Sequence, residues 1–137
     1  MSAVIRRFVV VFSIAATAAC TKAGDGTNAA PGSASSPRDA VLEAWKAGKL
    51  APSAMAPATV AFAKDCQGGT VAGVDVLLCS FPSAAEAKSA EEQGLSWVGS
   101  ATGASQARGQ MLVMLADRKK ADPSGRTINQ LLKLAPN

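Results

Sequence analysis

Residues Val60–Phe81 read VAFAKDCQGGTVAGVDVLLCSF. Two apolar runs flank a Gly-rich middle, and each run carries one cysteine, the pattern of a cross-linked β-hairpin. Two registers are open. With the turn at Ala72-Gly73, Cys66 faces Cys79. Phe62, Leu77 and Phe81 then share the cysteine face, and Val74, Val76 and Leu78 the other. With the turn at Gly68-Gly69, Cys79 lies opposite Ala58, far from Cys66. A disulfide needs Cα atoms within ~7 Å, and a non-hydrogen-bonded antiparallel pair at ~4.5 Å suits it. Only the first register admits a bridge, and it makes Gly68-Gly69 a bulge or a place of close backbone approach. Two buried free thiols are the alternative.

Outward from the hairpin, each side reads as a helix. Upstream, residues 51–57, with Pro52 and Pro57, form a connection. Before it, Ser36-Pro37-Arg38-Asp39 is a helix start, with Ser as N-cap, Pro at the first helical position and Asp in the first turn. That helix runs to about Lys49 with Val41, Leu42 and Trp45 on one stripe, and Trp45 is expected in the core. Downstream, Pro82 ends the strand and Ser83-Ala84-Ala85-Glu86 matches a capping box. The second helix is expected to stop near Gln93, with Gly94 as its C-terminal cap and Leu95 as the contact after it. Its apolar side is alanine, so it needs a close-packed partner, best supplied by the sheet.

Trp97-Val98-Gly99 reads as a short strand or its start, and Ser100–Gln110 as a polar, Gly-punctuated connection. The unbroken apolar run Met111–Ala116 is a buried central strand. Asp122-Pro123 is expected to open a last helix with Ile128, Leu131, Leu132 and Leu134 inside. The expected fold is α+β: a small antiparallel sheet of three or four strands with helices packed mainly on one face, in the order α-β-β-α-β-α, with an extra strand allowed near residues 97–107.

The N-terminus is a separate piece. Arg6 and Arg7 precede twelve residues, Phe8–Ala19, whose polar members are Ser13 and Thr17. As a helix this run would span ~18 Å, short of the ~30 Å hydrocarbon core. It fits an export signal better than a transmembrane anchor. It ends Thr17-Ala18-Ala19-Cys20, and here the chain resembles the bacterial lipoprotein precursors. The resemblance covers the first twenty residues and implies cleavage before Cys20 and acylation of that cysteine. Thr17 departs from the large aliphatic residue usual in that family. Ordinary secretion, cut after Ala16-Thr17-Ala18, is the competing reading, and it leaves an odd exposed thiol.

The domain boundaries expected on the lipoprotein reading are a signal over 1–19, a lipidated Cys20 with a flexible tether over 20–36, and one globular domain over 37–137. The tether, TKAGDGTNAAPGSASS, holds no large apolar side chain and cannot offset its own ordering entropy. Thr21 after the cysteine points, by the family's sorting tendency, to the outer membrane of a Gram-negative cell. An oxidising compartment then favours the Cys66–Cys79 bridge.

Composition narrows the chemistry. The 137 residues carry a formal charge of +4, and without Arg6 and Arg7 the balance is 12 − 10 = +2, too mild to argue for nucleic acid. There is no histidine, which removes the commonest general base and metal ligand. Two cysteines without C-x-x-C spacing make a poor zinc or redox site. The Gly99–Gly109 segment lacks the lysine and following helix of a phosphate loop. The expectation is a non-catalytic, cofactor-free and metal-free interaction domain, held to a membrane through Cys20 and meeting an envelope protein or a cell-wall polymer. The alternative is a small-ligand pocket near residues 97–109. Candidate contact residues are Trp97, Thr102 and Arg108, with Arg118, Lys119 and Lys120 as the densest charge cluster.

Overall fold

The computed structural model describes residues 35–137; the signal, Cys20 and nearly all of the tether lie outside the described residues. The elements are α1 (Pro37–Ala47), β1 (Ala56–Val60), β2 (Ala63–Val71), β3 (Val74–Ser80), α2 (Ala84–Ser89), α3 (Glu91–Val98), β4 (Thr102–Arg108), β5 (Met111–Asp117) and α4 (Arg126–Leu134). They form an α+β domain with one five-stranded antiparallel sheet in the order β1-β2-β3-β5-β4. No helix among the described residues is long and apolar enough to cross a membrane.

The β2–β3 hairpin takes the register with the turn at Ala72-Gly73. Val71 pairs with Val74 and Cys66 with Cys79, and both turn residues have positive φ, 49° and 84°. Such a two-residue turn matches the right-handed twist of its strands. Cys66 and Cys79 are joined by a disulfide across a Cα separation of 4.1 Å. Gly68 and Gly69 lie within an unshifted β2–β3 pairing, so they form no bulge there. A side chain on Gly69 would run into Met55 and Ser53, so it marks a close approach of the chain.

β3 and β5 are neighbours in the middle of the sheet and are apolar on both sides. Val74, Val76, Leu78, Met111, Val113 and Leu115 meet Val41 and Trp45 of α1 and Ile128 and Leu131 of α4. Leu77, Cys66, Cys79, Leu112 and Met114 pack on the opposite side with Ala90, at the junction of α2 and α3. Helices therefore cover both faces, not mainly one. A strand with no polar face has to be covered twice.

Five strands replace the expected three or four, and the order is α-β-β-β-α-α-β-β-α. β1 occupies part of the expected 51–57 connection and takes Val60 out of the hairpin, leaving Ala61-Phe62 as the turn into β2. It is an edge strand with a register shift between Ala58 and Val60, and an edge tolerates Pro57. β4 replaces the expected polar connection after Ser100. Trp97 and Val98 end α3 rather than start a strand, and Gly99, with φ 65°, closes that helix.

Gly94, expected as a cap, lies inside α3. A Cβ there would strike Ser105 and Met114, so its absence sets how closely α3 sits on β4 and β5. Ser36 caps α1 in a full capping box with Asp39, whereas Ser83 accepts the Glu86 N–H at the start of α2. α4 begins after Gly125, not at Asp122. Asp122 still serves its N-terminus, because its carboxylate accepts the Ile128 N–H at 3.0 Å.

Candidate functional site

The sheet has two ends. At one, the start of α1 is tied down: the Arg38 guanidinium donates to the Asp65 carboxylate (2.8 Å) and to Ser80 Oγ (3.2 Å). Ser80 pairs with Met111, and Met111 with Arg108. Arg108 is used here, donating to Gln106 Oε1, the Leu132 carbonyl and Asn137 Oδ1 at 2.8–3.1 Å. It fastens β4 to α4 and to the last residue.

The other end carries a cleft of about 610 Å³ whose walls are the end of α3, the segment Gly99–Thr102, and the residues that follow β5. Its volume falls within the usual range for small-molecule sites. Six residue steps along β5, from Met111 to Asp117, separate the two ends, or ~20 Å at strand spacing. Trp97, Thr102, Arg118 and Lys120 line this cleft. Arg108 does not line it, and Lys119 is exposed beside it.

Arg118 organises the cleft. Its guanidinium lies 4.2 Å from the Trp97 ring centroid, a cation–π distance. It also donates to the Trp97 carbonyl (2.6 Å) and to the Asp75 carboxylate (3.1 Å). One side chain thus joins the end of α3 to β3 and β5.

Asp117 is a cleft residue that the sequence reading missed. It is 4% exposed, and its two carboxylate oxygens accept the backbone N–H groups of Ala121 (2.7 Å) and Asp122 (2.8 Å). The connection after β5 is wrapped around this carboxylate, and Lys120 sits in it with φ 56°. An acidic residue ending an unbroken apolar strand was the available signal, since a carboxylate in that place needs backbone donors.

Trp97 also borders an apolar hollow with Val60 and Phe62. On the far side of α3, Glu91 accepts the N–H of Ala107 at 2.8 Å, capping a donor on the edge of β4. That bond, with a second from Lys88, holds the Glu91 carboxyl below its ordinary value of 4.5 against the opposing effect of burial. Among the described residues no three His, Cys, Asp or Glu side chains gather as a metal site.

Comparison with protein-family models, with curated proteins and with solved structures returned no match to the chain.

Proposed function

We propose that the protein is a lipid-anchored envelope lipoprotein, held to the outer membrane of a Gram-negative cell through Cys20, with a non-catalytic interaction domain. The Cys66–Cys79 bridge carries this reading. Disulfides persist in oxidising compartments and are rare in the cytosol, which agrees with the export pattern of Arg6-Arg7, Phe8–Ala19 and Cys20. The partner is an envelope protein or a cell-wall polymer. A lipidated cysteine with more than one acyl chain anchors stably, at ~0.8 kcal/mol per buried methylene.

The test is the intact mass of protein taken from native membranes, alkylated without reduction. A chain beginning at Cys20, carrying acyl groups and no alkylated thiol, is expected. A chain beginning at Ala19, unacylated, overturns the anchor. Cys20→Ser should release the protein from membranes.

A small-ligand module is the second reading. It is favoured by the cleft that joins Trp97, Thr102, Arg118 and Lys120 from separate parts of the chain.

A further inference from the structure

We infer that the Trp97 cleft binds a small soluble molecule through an oxyanion, phosphate or carboxylate, with Lys120 as its cation. The inference deepens the small-ligand reading. Its membrane-facing aspect also rests on the lipid anchor at Cys20.

The electrostatics single out Lys120. Arg118 is already matched by Asp75 and by the Trp97 carbonyl. The nearest carboxylates point inward: Asp117 accepts from Ala121 and Asp122, and Asp122 accepts from Ile128 and Ser124. Among the described residues Lys120 has no acidic partner, and neither has its neighbour Lys119. Lys120 is therefore the lining cation whose charge has no carboxylate bonded to it. Ser100 and Thr102 add hydroxyl groups to the lining, and a hydroxyl donates readily to an oxyanion.

The geometry is fixed beforehand. Lys120 holds a left-handed backbone, which costs a residue with a side chain roughly 1 kcal/mol, and the Asp117 carboxylate fixes the chain immediately after it. The Trp97 wall is pinned by Arg118. A ligand meeting this site does not have to order a loose loop, which lowers the entropic cost of binding.

Orientation separates two sources of the anion. The chain enters α1 at the Arg38 end of the sheet, and the cleft lies at the opposite end, ~20 Å away at strand spacing. The cleft is thus at the end of the domain remote from its attachment to the tether, which favours a soluble anion over a headgroup of the bilayer that holds Cys20.

The experiment is a fluorescence titration of the full chain carrying Cys20→Ser. Trp45 is fully buried, so the response reports Trp97. Phenyl phosphate is the probe, with inorganic phosphate beside it and vesicles of anionic phospholipid as the lipid arm. A saturable change with phenyl phosphate is expected, weakened about tenfold or more by Lys120→Gln, as for loss of one charged hydrogen bond. Lys133→Gln, on α4, should leave it unchanged. Unaltered thermal melting of Lys120→Gln shows that folding is not the cause.

No saturable change up to about 10 mM, or an undiminished one in Lys120→Gln, overturns the site. A response to vesicles that phenyl phosphate competes away places a lipid headgroup in the cleft and overturns the soluble source. The anchor is judged separately, by membrane fractionation of the wild-type chain. Binding without anchoring refutes only the anchor, and anchoring without binding refutes only the site.

Discussion

The indole N–H of Trp45 donates to the carbonyl of Leu131 at 2.9 Å, across 86 residues of chain. The bond is buried and joins α1 to α4 on one face of the sheet, so the first and last helices close the same core. Trp45→Phe removes the donor and part of the ring volume. The Leu131 carbonyl keeps its bond from the Ala135 N–H, so it is not orphaned. A loss of about 1–3 kcal/mol is expected, read as a lower urea midpoint at unchanged slope.

The disulfide closes a short loop between β2 and β3. In the chain-entropy model such a loop contributes roughly 3 kcal/mol by restricting the unfolded state. Cys66→Ala, or reduction of the wild type, should lower stability by a few kcal/mol. Thermal unfolding with and without reductant measures it, and a wild-type transition indifferent to reductant would refute the contribution.

Gly94 gives opposite signs to two rules. Helix propensity alone makes Gly94→Ala favourable by up to ~1 kcal/mol. Packing makes it unfavourable, because the added methyl would strike Ser105 and Met114, and overpacking costs roughly 1–3 kcal/mol. We expect net destabilisation in chemical denaturation. A stabilised Gly94→Ala would show that α3 can lift from β4 without loss.

Asp117→Asn tests the loop that presents Lys120. The carboxylate accepts two backbone N–H groups, and an amide offers one oxygen in place of two. One buried donor is left unpaired, a cost of about 1–3 kcal/mol. Faster amide hydrogen exchange at Ala121 or Asp122 is the specific readout.

Glu91 predicts a pH dependence. Its pKa is lowered in the folded state, first by the Ala107 N–H and then by Lys88. Its contribution is therefore fully present above the unfolded value and is lost as pH falls through the folded one. Stability should drop on acidification below the ordinary value of 4.5, and Glu91→Gln should flatten that limb. Equal acid limbs in the two proteins would remove Glu91 as a source.

Local chemistry was legible wherever a residue's role depends on its near neighbours. The parity of Cys66 and Cys79 about Ala72-Gly73, the cap at Ser36 and the burial of Met111–Ala116 all follow from spacing and side-chain type. The covering of both sheet faces was missed, although β3 and β5 have no polar face, because the helices had to be weighed against both strands at once. Asp122 was rightly read as serving a helix start and wrongly placed, because its side chain reaches Ile128 across a turn that Gly125 completes.

The sequence by itself determined that a hairpin lies here, narrowed it to two registers of which one permits a bridge, and set the alternation of apolar and polar stretches, because strand periodicity and turn chemistry act over a few residues; the pairing of Cys66 with Cys79 is read from the structure. Only the tertiary structure decided that APATV and TGASQAR are strands. Their own side chains carry little strand preference, and what makes them strands is the hydrogen-bonding edge that β2 and β5 offer from distant parts of the chain. The cleft was decided in the same way: Trp97 and Thr102 meet Arg118 and Lys120 only once β4 has paired with β5 and a glycine has let α3 settle onto both.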